Sequence, residues 1–151
     1  MTKTDLDNYI KTIKLIHLAL IAGPAIFLFI SIFLRLTENW NGSLNVYSYQ
    51  VFIAMLVVCA SAIVISRDNF YKGLARLKNN AKSPEENLEK YRGILIKSWA
   101  ILEFAELLSI VLFLLTGSYD LLFLIIGLLI YSYLLRPVSS KISSNLGIEI
   151  I

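Results

Sequence analysis

The 151-residue chain is 57% apolar and 17% charged, with a formal net charge of +3 at pH 7. This balance, with its strongly positive mean hydropathy, lies outside the soluble globular range and indicates a polytopic membrane protein. One Cys (Cys59) excludes an intrachain disulfide, one His (His17) excludes a haem held by two histidines of one subunit, and structural-zinc spacing is absent, so neither metal nor cofactor is expected.

Residues 1–12 form a short polar lead, with Asp5 and Asp7 in the first turn of an interfacial helix that runs into the first span. Lys14 and Arg35 bracket twenty uncharged residues, enough to cross about 30 Å of hydrocarbon at about 1.5 Å per residue. The run is too long for a signal-peptide core and meets Arg35 rather than a small-residue cleavage site, so a retained span over 14–35 is expected. Near its middle, Pro24 follows Gly23. Proline removes a backbone donor and leaves the Leu20 carbonyl without its usual partner, so a kink or a close helix contact is expected there.

In the following loop, 36–48, Trp40 and Tyr47, with Tyr49 just beyond, are interfacial anchors. Asn41-Gly42-Ser43 fits a glycosylation sequon, a motif frequent by chance, and is given no role. A second span is predicted over 49–66. From 67 to 94 the chain is polar but still patterned, with Phe70, Leu74 and Leu77, then Leu88, Tyr91 and Leu95, at helical spacing. Helices 2 and 3 are therefore expected to continue into a cytoplasmic helical hairpin turning near Asn79–Lys82. Ser83 is the expected N-cap, Pro84 the first helical residue and Glu86 the capping-box position.

A third span over 95–116 and a fourth over 119–135 are joined by Thr116-Gly117-Ser118, with Ser118 as cap and Asp120 in the first turn. Arg136-Pro137 ends the fourth helix, and 137–151 suits an interfacial segment, with Val138, Ile142 and Leu146 at helical spacing. The expected fold is all-α, a single domain over 1–151, with four transmembrane helices as two hairpins. A weak internal repeat lays His17–Pro24 on Ser98–Ala105, setting Ala22 against Glu103.

Thirteen Lys or Arg lie on one side of these spans and Arg35 alone on the other. This bias predicts a bacterial inner-membrane protein with both termini cytoplasmic, and the basic stalk has two readings, topology-setting charge or a contact for lipid headgroups or a partner. Expected partners are membrane lipid, a second copy of the chain, or a membrane or cytoplasmic protein, rather than nucleic acid.

The costliest feature is in the third span, where Glu103 and Glu106 stand one turn apart in an apolar run. An ionisable group deep in a bilayer costs from about 2.5 kcal/mol upward and so faces a bundle interior, a water-filled cavity or a partner. Trp99 lies above the pair and Ser109 or Ile110 below. Side chains lean toward the helix N-terminus, which brings Glu103 to the depth of Leu20, where a protonated carboxyl could donate to the carbonyl that Pro24 frees. His17, one turn away, could pair with an ionised Glu103, and Tyr131 and Ser61 could line the same interior. Glu103 is the favoured residue of the pair, because its depth matches the break in the first helix. Two readings follow: a proton or small-cation site, or a polar clamp between helices or subunits of a non-transporting membrane protein whose basic hairpin docks a partner. With no nucleophile–base pair or phosphate-cradling loop, an enzyme is not expected, although a lipid-modifying activity using Glu103 and His17 is a third option.

The run Leu102-Glu103-Phe104 to Ser118, the later Leu134-Leu135-Arg136-Pro137, and His17 to Pro24 together resemble small four-helix membrane proteins of Bacteroidota. The likeness covers most of the chain and implies the fold, with no activity attached to it. In that family the third-helix glutamate is followed by glycine. Phe104 takes that place here, which bears on how closely another helix approaches Glu103. A likeness to the proteolipid subunits of rotary ATPases is architectural only: a hydrophobic hairpin with an intramembrane carboxylate.

Overall fold

A computed structural model describes residues 3–38, 43–79, 83–138 and 142. The fold is all-α: α1 (Lys3–Glu38), a short 3-10 turn (Asn45–Tyr47), α2 (Ser48–Asn79), α3 (Pro84–Thr116) and α4 (Tyr119–Leu134). Trp40, the Asn41-Gly42 part of the sequon, the centre of the predicted 79–82 turn and nearly all of the 137–151 segment lie outside the described residues.

Three helices contain stretches long and apolar enough to cross a membrane, Asn8–Thr37, Asn45–Lys78 and Glu85–Thr116. The fourth predicted span is shorter than these. α4 has 16 residues and stops at the C-cap Leu135, because Pro137 disfavours helical geometry at Arg136. The polar lead and the first span form one 36-residue helix that continues through Pro24.

Local chemistry sets the helix ends. Ser83 accepts a hydrogen bond from the Glu86 backbone N–H at 3.4 Å, and Pro84 opens α3, as the capping pattern predicts. At the other end Gly117 takes a left-handed conformation, φ 73°, and its N–H returns to Phe113 O, a position where a Cβ would be strained. Ser118 occupies the N-cap of α4 without a side-chain cap bond; its backbone N–H instead donates to Thr116 Oγ1 at 3.3 Å. Arg35 closes this end of the molecule. Its Nη1 donates to Phe113 O at 3.4 Å and its guanidinium lies 5.4 Å from the centre of the Phe113 ring, a favourable place for a cation at a helix C-terminus.

α3 is the central helix, packing against α2, α1 and α4, whereas α1 and α2 make no more than marginal contact. The expected first hairpin is thus not a packed pair. The polar side chains within the apolar run of α3, Glu106 and Ser109 among them, are covered by neighbouring helices, and more of α3 is buried than of α1 or α2. The stripe Ile10, Ile13, His17, Pro24, Leu28 and Ser31 is the covered face of α1.

Two apolar clusters result. One, nearer Arg35, contains Leu28, Met55, Leu102, Ile110, Phe113, Leu121 and Ile125. The other, at the Lys- and Arg-rich end, contains Ile10, Ile13, Leu77, Leu88, Tyr91, Leu95, Trp99 and Ile142. There the polar continuations of α2 and α3 run side by side, joined where Ser66 Oγ donates to Ser98 O at 2.8 Å. Tyr9 ties α1 to the same lobe by donating to the Leu88 carbonyl.

Candidate functional site

Between the two clusters lies a buried polar layer. Glu106 on α3 is 1% exposed, and His17 on α1 and Ser132 on α4 are also buried. Each occupies the covered stripe of its own helix: on α4 the stripe runs Leu121, Ile125, Leu128, Ser132, spacings of three and four that keep one face inward. The three helices therefore bring one carboxyl, one imidazole and one hydroxyl to a common point.

The three residues are linked into a chain by two bonds made through different atoms of Ser132. Ser132 Oγ donates to Glu106 Oε1 at 2.5 Å, and Ser132 O lies 3.1 Å from His17 Nε2. A carbonyl oxygen can only accept, so Nε2 carries the proton in this contact. Trp99 backs the imidazole, with ring centroids 4.5 Å apart and planes inclined by 59°. Beside the chain is a cavity of about 10 Å³ lined by His17, Leu20, Ile21, Trp99, Leu102, Glu103, Glu106 and Ser132. A cavity of about this size has room for about one water molecule.

Ser132 behaves unlike most other helical hydroxyls here. Those of Ser31, Ser98, Ser109 and Thr116 each donate to the carbonyl four residues back in their own helix, the usual outcome for such residues in apolar helices. That of Ser132 reaches across to a carboxyl.

Glu103 lines the same cavity but is only partly buried. Its side chain makes no hydrogen bond among the described residues. It approaches α1 as expected: a Cβ added to Gly23 would lie 3.8 Å from Glu103 Oε1, and Leu20 lines the cavity beside it. The expected bonds from Glu103 to the Leu20 carbonyl and to His17 are not formed; His17 is engaged by Ser132. Pro24 is buried. Ser109 faces α2, with its Oγ 3.6 Å from Cys59 Sγ. Tyr131 turns away from the cavity and lines a separate groove at the basic end. Ser61 is exposed beside Val57, Ile65 and Phe104. These last two are corrections with one physical reason, the helical rotation of about 100° per residue, which moves Tyr131 off the stripe that Ser132 occupies and turns Ser61 away from the stripe of Cys59 and Ala62.

Glu106 thus takes the place that depth alone suggested for Glu103. Stripe position carries the distinction: Leu95, Trp99, Leu102, Glu106, Ile110 and Phe113 follow one another at three- and four-residue steps, and Glu103 stands beside this line. Ser132 is the participant that residue-type reasoning passes over, though extending the Leu121-Ile125-Leu128 spacing finds it. No family model, curated protein or solved structure matches this chain.

Proposed function

We propose that the protein is a four-span integral protein of the bacterial inner membrane in which Glu106 takes up and releases a proton, with Ser132 and His17 in the same hydrogen-bonded chain. The observation that carries this reading is the Glu106–Ser132–His17 chain itself, buried beside a cavity of one-water size. Two of its oxygens already receive hydrogens, Glu106 Oε1 from the Ser132 hydroxyl and the Ser132 carbonyl from His17 Nε2–H. That arrangement suits proton exchange better than the shell of free oxygen donors a bare cation needs.

The membrane placement rests on spacing. Lys14 to Arg35, Ser48 to Arg67, Lys97 to Thr116 and Ser118 to Arg136 each span about 27–32 Å as helix, close to the hydrocarbon thickness of about 30 Å. Flanked in this way, the 16-residue α4 can cross as well. Glu106 then lies about 15 Å from the far end of α3, near the bilayer midplane. The thirteen-to-one distribution of Lys and Arg supports a cytoplasmic placement of both termini. In liposomes carrying a pH-sensitive dye, Glu106→Gln should abolish proton flux under an imposed gradient; undiminished flux would sink the reading.

A second reading, a non-transporting subunit that docks a cytoplasmic partner, is favoured by one observation. A groove of about 450 Å³ between the polar ends of α2 and α3 is lined by Asn69, Lys72, Arg76, Lys90 and Lys97 among others. This reading expects Arg76→Glu with Lys97→Glu to abolish co-purification of an acidic partner protein, and fails if no partner co-purifies with the parent.

A further inference from the structure

A groove of about 570 Å³ lies where the basic ends of α2, α3 and α4 meet the segment 136–138 and Ile142, within the roughly 300–1,000 Å³ typical of ligand sites. Its walls are chiefly apolar, with Phe70, Leu74, Leu95, Leu134 and Leu135 among them, and its lining includes two cations, Arg67 and Arg136. Neither arginine has an ion pair among the described residues. Arg136 rests 6.0 Å from the Tyr133 ring centre. Neighbouring charges are engaged differently: Lys72 pairs with Asp68 at 2.7 Å and Lys90 with Glu86 at 2.9 Å. Among the described residues, the lining contains no Asp or Glu.

We propose that this groove holds an anionic glycerophospholipid, its phosphate between Arg67 and Arg136 and an acyl chain along the apolar wall toward Trp99. The inference rests on the membrane placement above, which puts both arginines at headgroup depth. Each is the first cation after an apolar stretch, Arg67 within α2 and Arg136 just past α4, and basic pockets between helices at this depth suit lipid phosphates. Guanidinium groups hold phosphate oxygens through paired N–H donors. With no carboxylate on the lining to meet a choline or ethanolamine ammonium, the charge selects an anionic headgroup over a zwitterionic one.

Trp99 supplies the readout, because it lines the groove yet is 6% exposed, so bulk lipid reaches it poorly. Trp40 is the other of the two tryptophans, and Trp40→Phe leaves Trp99 as the sole tryptophan. In vesicles with chain-brominated phosphatidylglycerol or phosphatidylcholine at equal mole fraction, phosphatidylglycerol should quench Trp99 with a selectivity of about thirtyfold, the order expected from two basic groups near the surface. Arg67→Gln with Arg136→Gln should bring the two lipids to equality, whereas Lys11→Gln with Lys78→Gln, exposed cations off this groove, should leave the preference intact. Equal quenching in the parent, or a preference abolished equally by the control pair, overturns the site while leaving the spans standing. Absence of quenching by either lipid likewise overturns the site, because bulk lipid reaches Trp99 poorly; the spans are tested separately by cysteine accessibility.

Discussion

A buried serine in a helix has a ready acceptor one turn back, so the outward bond from Ser132 to Glu106 exists by virtue of the carboxyl it meets. Ser132→Ala removes a donor and leaves a carboxyl oxygen unsatisfied, which should cost about 1 kcal/mol and lower Tm by about 2–4 °C in detergent. Glu106→Gln keeps a carbonyl acceptor for the hydroxyl and should melt within about 1 °C of the parent, because little in the bonding changes. Glu106→Leu is the sharper variant. Replacing a buried ionisable group with an apolar one of similar size is often neutral or stabilising, and Ser132 can turn back to its own helix. A Tm at or above the parent's would show that the carboxyl is not retained for stability; a drop as large as that of Ser132→Ala would favour the clamp. At this scale the sequence exposes the pair of carboxyls but not their ranking, because burial depends on helix rotation and Glu103 and Glu106 differ by about 60° around α3.

Helix packing depends on two glycines with different reasons for being glycine. Gly73 on α2 lets α3 approach: a Cβ there would lie 2.8 Å from Ile94 Cγ1 and 2.9 Å from Cγ2. These atoms sit on a β-branched side chain with little freedom to move. Gly73→Ala should cost about 1–3 kcal/mol by overpacking, and Ile94→Ala should restore part of the loss in the double variant, measured by thermal melting. Additive effects would mean that the two residues are uncoupled. Gly117 is needed for its positive φ and because a Cβ would fall onto the Arg35 guanidinium; Gly117→Ala should cost about 2 kcal/mol. Helix ends were legible because Ser83-Pro84 and Thr116-Gly117 act through local bonds. The neighbours of α1 were not, since the loop after it is compatible with packing on α2 or with passing over α3, and only the burial needs of α3 select the second.

Across the whole molecule, charge and apolar length act together, and both can be read along the chain. Membrane-impermeant maleimide tests the placement directly. In a Cys59→Ala background, Ser43→Cys beyond the end of α1 should label in intact cells, and Lys78→Cys at the end of α2 only after permeabilisation. The reverse pattern would invert the orientation, and labelling of both without permeabilisation would remove the membrane crossing by α2. The composition reveals the solvent this protein was built for, but the groove and the small cavity arise only where three or four helices converge, and no local pattern encodes that convergence.

The central position of α3 also governs biogenesis. α1 and α2 leave the ribosome first and barely touch each other once folded, so on the proposed membrane placement the early product would be two independently inserted helices without a tertiary structure. His17 is made before Ser132, and Arg35 before the Phe113 carbonyl it meets. Folding of the whole chain is therefore confined to the period after α3 is made, and a chain arrested near Asn79 would remain unassembled.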